Sequence, residues 1–436
     1  MVDFLNRRFH ITERGSTISR EIIGGLVTFM SMAYIIFVNP SILGATGMDY
    51  TALMLATCIS AAIGTLLTAF MANAPFAQAP GLGINALFTY TLCLKMGYSW
   101  QNCLALTFIS GIIFLISTLS PLRNKIIEII PAQLKRAISV GIGLFIALIG
   151  LINAGVVTAE GNLLDLGNIT SGAPLLCLIG LIIAAILLVF KVKGAILYAI
   201  IAATLIGIPL GVTNTTISFN FENLTLAPLF FKLSFTGLMA LGFMPFITSI
   251  LTLCICDIFD TCGTLIGCAA GCDMLDENGN VKDTTMTKAL TADAIATCAG
   301  SLFGTSTVTT FVESASGVAA GARTGLASVI TGGLFLLSCL FAPIAGIIPS
   351  AATSVALIIV GVYMMANVKH IDWSDLEIAI PAFLTIIMMP FAYSISDGIG
   401  FGIIAYVLIK LIRGKYKEIN PLMYILAALF ILMFIL

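Results

Sequence analysis

The chain has 436 residues, of which 20 are Lys or Arg, 21 are Asp or Glu and 59% are hydrophobic, for a net charge of −1. A charged fraction of 9%, against roughly 25% in soluble proteins, and a mean hydropathy of +1.10 mean more apolar surface than a wetted globule of this size can hide. These totals exclude a soluble enzyme, a disordered chain, a disulfide-rich secreted scaffold and a nucleic-acid binder, and continuous rather than alternating apolar runs exclude a membrane barrel.

The first twenty residues carry Arg7, Arg8, Arg14 and Arg20 and no apolar leader core. The expectation is therefore no cleavable signal and a first span that serves as its own. Runs apolar enough to cross a bilayer follow at 21–43, 51–72, 77–94, 101–120, 131–154, 173–190 and 194–212. A second set lies at 242–268, 288–303, 306–321, 324–343, 350–367, 375–394 and 397–413. That is seven plus seven. The apolar tail 421–436 is a little short for a crossing and reads as interfacial or re-entrant.

With the N-terminus cytoplasmic, eighteen of the twenty cations fall inside, among them Arg123, Lys125, Lys282 and Lys417, and only Lys95 and Lys232 fall outside. This is the positive-inside pattern of fourteen spans in a plasma (inner) membrane. Ile129-Ile130-Pro131 before the fifth span recurs as Ile347-Ile348-Pro349 before the twelfth, and Gly194 and Gly398 open the seventh and fourteenth. An odd number of spans per half inverts one half against the other, the architecture of secondary transporters. Sequons at Asn168, Asn214 and Asn223 all fall in outside loops.

The polar residues inside the spans are few. Both histidines, His10 and His370, lie outside the apolar runs, so proton chemistry must rest on carboxylates. Cys254, Cys256, Cys268 and Cys272 lack the second cluster of a zinc site and read as packing residues. Four acids are embedded: Asp257, Asp260, Asp293 and Glu313. A charge at the bilayer centre costs from about 2.5 kcal/mol upward, so such groups line cavities. Asp257 and Asp260 are three apart on one helix face. Asp293 lies nearer a helix start, where a capping or packing role competes with a functional one.

Two segments are unlike ordinary spans. Asn73–Asn85 holds Pro75, Pro80, Gly81 and Gly83, and Gly304–Gly317 is dense in Thr and Ser. Such sequences free backbone groups from helical bonding, which a membrane tolerates only beside protein or water. They are the third run of each half, and matched interruptions point to a transport site with half-helix N-termini aimed at its centre. Gly81–Ala86 also matches a dinucleotide fingerprint, but lacks the preceding strand and the later acid, and is dismissed.

The runs Ala33–Ser41, Ala79–Ala86, Asp257–Gly267, Gly304–Gly317, Gly321–Gly325 and Phe341–Met365 resemble the AzgA-like purine permeases, a branch of the second nucleobase–cation symporter family, over residues 12 to 418. The resemblance implies an all-α polytopic membrane protein with the uracil-transporter fold. That fold has fourteen transmembrane segments as two inverted seven-helix repeats, and spans 3 and 10 are broken with short extended strands. It divides the chain into a cytoplasmic segment 1–20, a core domain of 21–120 and 242–343, a gate domain of 121–212 and 344–413, an outer loop 213–241, and a basic linker and tail 414–436. It places Asn85, Asp257, Glu313 and Gly83 at the substrate, and Asp260 with Asp257 and Glu313 in support or proton coupling. It also suggests a homodimer. Gln78, Cys254, Cys256 and Cys262 depart from the usual pattern and are positions that tune preference.

The expected activity is proton-coupled import of a purine base, with no cofactor and with H+ as coupling ion. A purine rim of donors and acceptors needs paired partners, since an unpaired buried polar group costs about 1–3 kcal/mol. Ionised carboxylates suit the N1–H of hypoxanthine and guanine, whereas adenine presents an acceptor at N1. The residues therefore lean to 6-oxopurines, with an adenine permease, or a channel or exchanger of the same fold, as alternatives.

Overall fold

The computed structural model describes residues 2–120, 129–160, 163–170, 172–215, 225–270, 272, 274, 283–342 and 347–435. Arg123, Lys125, Lys282 and the sequon at Asn223 lie outside the described residues. The described chain is predominantly helical. Among the described residues, eight helices are long and apolar enough to cross a bilayer, from Ile18–Thr46 to Ile395–Ile412. Shorter apolar helices include Ala195–Gly207, Gly325–Phe341, Leu376–Phe391 and Pro421–Ile435.

Helix starts follow local chemistry. Asp49 accepts the N–H of Ala52 at 2.7 Å to open Tyr50–Met71, and Ser99, Thr324, Asp375 and Ser394 cap their helices in the same way. The repeated Ile-Ile-Pro element is also a start signal. Pro131 and Pro349 sit at the N-caps of Ala132–Asn153 and Ser350–Met365, where a missing N–H costs nothing.

Packing sorts the helices into two groups. Ala132–Asn153 packs along Ser350–Met365 and Leu376–Phe391, and Gly172–Val189 packs on Ala195–Gly207 and Ser350–Met365. The first contact is close enough that a Cβ on Gly361 would lie 2.7 Å from the Gly143 carbonyl oxygen, a small-residue seam suited to a solvent that gives helices no hydrophobic drive to associate. In the other group, Tyr50–Met71 packs on Gly325–Ser338 and Asp283–Phe303, and Asp283–Phe303 packs on Trp100–Leu119. The tail is a helix, Pro421–Ile435, docked on Ile395–Ile412 with the Phe401 and Phe434 rings 5.0 Å apart.

Two sets of ion pairs lie at helix ends. At one end of Ile395–Ile412, Glu377 bonds Arg413 at 2.8 Å, Lys415 at 2.8 Å and Lys410 at 3.0 Å. At the opposite end, Asp397 pairs with Lys95 at 2.6 Å. Beyond the helices, the Asp372 carboxyl is held below the usual range by the Ser374 hydroxyl and backbone N–H.

Candidate functional site: a strand ribbon between two broken helices

Both interrupted segments form short strands, Gln78–Pro80 and Val308–Thr310, which pair antiparallel with Gln78 opposite Thr310 and Pro80 opposite Val308. The pairing extends through Gly81 N–H to Thr307 O at 3.0 Å and Phe311 N–H to Ala77 O at 2.9 Å. A two-residue-per-turn backbone cannot satisfy itself, so each strand takes the other as partner. Neighbouring helices supply the remaining bonds. The Thr65 hydroxyl accepts Gln78 N–H at 2.9 Å and donates to Gln78 O at 3.1 Å. The Thr297 hydroxyl accepts Val308 N–H at 3.2 Å and donates to Val308 O at 3.1 Å.

Because the strands are antiparallel, the helices that follow them leave the ribbon in opposite directions. Leu82–Ala86 continues as a π-helix, Leu87–Lys95, on one side, and Ser314–Ala319 leaves on the other. Asn85 is fully buried on the first; its Oδ1 accepts the Ser306 hydroxyl, and its Nδ2 has no hydrogen-bond partner among the described residues. Gly83 lies one turn from the ribbon, where a Cβ would come 2.8 Å from Ile142 Cγ2. Glu313 is the N-cap residue of the second helix, but its side chain does not cap it. Instead Glu313 Oε1 accepts the Tyr34 hydroxyl at 2.6 Å.

The helix Phe243–Ala270 carries Asp257 and Asp260 past the ribbon. Asp257 is fully buried beside Asp293 and Thr297, and neither carboxylate oxygen makes a well-formed hydrogen bond among the described residues. Asp260 is exposed, next to the Thr309 hydroxyl and Glu313, so it lines an opening rather than a sealed core. Asp293 sits in the third turn of Asp283–Phe303, fully buried, where its Oδ1 accepts Thr261 at 3.0 Å and Thr310 at 3.4 Å. The four embedded acids thus form one cluster behind the ribbon. None of them has an ion pair with Lys or Arg among the described residues. By contrast Glu21, also fully buried, accepts the backbone N–H groups of Arg323 at 2.9 Å and Thr324 at 3.2 Å.

Asp257, Asp260 and Glu313 therefore neighbour one another beside the ribbon, and Asn85 lies on the helix after the other strand, bonded to Ser306, with Gly83 in the same helix. Asp293 joins them because its helix begins five residues before the apolar run, moving it from the second turn to the third. Tyr34, Asn39 and Ser306 escaped the sequence reading. Asn39 is buried and donates to Thr57 at 2.6 Å and Thr305 at 3.0 Å. The available signal was the break Ala33–Tyr34 between Ile18–Met32 and Ile35–Leu43. A cleft of about 390 Å³ lined by Asp375, Glu377, Ile380, Ile409 and Arg413 lies away from this site, at the charged helix ends.

An apolar helical bundle with interrupted helices and uncompensated interior acids is an integral multi-pass membrane protein with a built polar centre. The chain belongs to the Permease family (Xan_ur_permease), which matches residues 19–401. It is 42% identical to the guanine/hypoxanthine permease PbuG of Bacillus subtilis, over 98% of this chain and 98% of that one. It is 40% identical to the adenine permease AdeP of Escherichia coli, over 98% and 95%. In fold it is similar to the transmembrane domain of a cyanobacterium bicarbonate transporter, BicA, with a TM-score of 0.64 and 16% identity over 88% of this chain and 97% of that domain.

Proposed function

We propose that this protein is a proton-coupled importer of purine bases, hypoxanthine and guanine foremost, in the plasma (inner) membrane with its N-terminus cytoplasmic. The observation that carries the reading is the convergence of Asn85, Asp257, Asp260 and Glu313 on a ribbon made by the two broken segments, in a chain whose relatives are named as purine permeases. Fourteen spans in two inverted sevens account for the layout. The matched threonine clamps, Thr65 in the second run and Thr297 in the second run of the other half, support that symmetry. The two packing groups support a division into core and gate, and a homodimer belongs to the same proposal.

A flat neutral base seated against the ribbon exchanges water for fixed partners. Glu313 and Asp257 accept ring N–H groups, Asn85 donates through its Nδ2, which has no hydrogen-bond partner among the described residues, and the Gly83 region lets the half-helix backbone approach. For coupling, a proton neutralises one carboxylate of Asp257, Asp260 and Glu313. An acid cluster without a cation is costly to carry through a low-dielectric passage, and one proton lowers that cost. The loaded core then moves against the gate as a rigid body.

The alternative is an adenine-preferring permease, favoured by the 40% identity to AdeP. Uptake of labelled hypoxanthine, guanine and adenine by purified protein in liposomes separates the two. Preference for the 6-oxopurines with an inward proton gradient supports the first reading, preference for adenine the second, and no purine uptake overturns both.

A further inference from the structure

The geometry points to Tyr34 as the positioning residue of the purine site: its hydroxyl anchors Glu313 Oε1, leaving Oε2 as the single carboxylate oxygen that meets the substrate. This rests on the purine-transport reading above and adds a residue to it. Tyr34 is 1% exposed and donates to Glu313 Oε1 at 2.6 Å. A phenol has one hydrogen to give, and that hydrogen is committed to the carboxylate. The Glu313 carbonyl is tied as well, accepting the Ser316 hydroxyl. No side-chain hydrogen bond to Glu313 Oε2 is seen among the described residues; the carboxylate's remaining partner is its own backbone N–H, and Asp260 and, from Ser350–Met365, Tyr363 interact with it electrostatically.

The two helices that carry the pair are zipped so that they cannot slide. Ser316 bonds Ser31 at 2.9 Å, a Cβ on Gly24 would meet Ala322 Cβ at 2.6 Å, and one on Gly317 would strike the Thr28 hydroxyl. Tyr34 stands at the turn just after that zipper. Its reach to Glu313 is therefore built into a rigid seam, and the anchored carboxylate cannot rotate away from the ligand. A group held in a bonding geometry before binding loses less freedom when the ligand arrives.

The test is equilibrium binding of labelled guanine to detergent-purified full-length protein, with liposome uptake alongside. Tyr34→Phe removes one oxygen and keeps the ring. It should weaken guanine binding about tenfold, the scale of one charge-assisted bond. Maximal uptake at saturating base should stay near wild type, and the melting temperature should stay within a few degrees. Tyr50→Phe, which loses a hydroxyl bond to Phe37 O away from the site, should bind as wild type. In a Glu313→Gln background the Tyr34→Phe change should cost less than twofold. Unchanged affinity in Tyr34→Phe, or equal losses in both backgrounds, overturns the assignment while leaving purine transport intact. Failure of the wild type to bind any purine overturns the underlying reading instead. If Tyr34→Phe is not recovered as a monodisperse species, Tyr34→His, which keeps a ring donor, must bind within threefold of wild type, and a larger loss counts against the proposal.

Discussion

Thr65 and Thr297 hold the two strands of the central ribbon in the same way: each hydroxyl accepts the N–H and donates to the C=O of a single strand residue, Gln78 for Thr65 and Val308 for Thr297. One hydroxyl has the donor and acceptor needed to satisfy both backbone groups where no third strand exists. Thr297→Val keeps the shape and strands both groups in an apolar layer. The expected loss is about 1–3 kcal/mol per unsatisfied group, read as a lower melting temperature in detergent. Thr65→Val should fall by a similar amount. A variant that melts with the wild type shows that water or a shifted backbone satisfies the strand instead.

Gly83 separates packing from recognition. A Cβ there would lie 2.8 Å from Ile142 Cγ2, and overpacking of this kind costs about 1–3 kcal/mol. Gly83→Ala should reduce stability and uptake together, and Ile142→Ala should restore the stability by opening the space but not the uptake. Restored uptake alongside restored stability would confine Gly83 to packing and remove it from the substrate approach.

Asp257 is buried beside Asp293 and has no ion pair with Lys or Arg among the described residues. Removing such a charge does not weaken the fold. Asp257→Asn should therefore melt no lower than wild type while losing proton-driven uptake by at least a hundredfold. A marked fall in melting temperature would place Asp257 in the scaffold rather than in transport.

Lys95 and Asp397 pair at 2.6 Å, with side chains 39% and 23% exposed. Exposed pairs contribute about 0–1 kcal/mol. A double-mutant cycle of Lys95→Ala and Asp397→Ala on thermal stability should give a coupling in that range that shrinks in molar salt. A larger, salt-resistant coupling would show a buried lock between the two helices.

The broken segments were legible because proline, glycine and clustered threonine are incompatible with an uninterrupted helix, whatever surrounds them. The embedded acids were legible because so few charges enter the apolar runs. What escaped was long-range. Nothing local in Gln78–Pro80 says that it will pair with Val308–Thr310 some 230 residues away, with Gln78 opposite Thr310. Tyr34 looked like any aromatic in an apolar run until its hydroxyl was found on Glu313. Asp293 lies deeper in its helix than the apolar run indicates, because Asp283–Phe303 starts in polar sequence, before the apolar pattern does. The tail's length alone does not show that it docks on Ile395–Ile412, where the Phe401 and Phe434 rings meet.

The most direct test of the central claim is initial uptake of labelled hypoxanthine into liposomes holding the purified protein, with and without an inward proton gradient, for wild type and Glu313→Gln. The wild type should accumulate hypoxanthine when the gradient is imposed, and the variant should accumulate none. Uptake indifferent to proton and sodium gradients, or full uptake by Glu313→Gln, would contradict it.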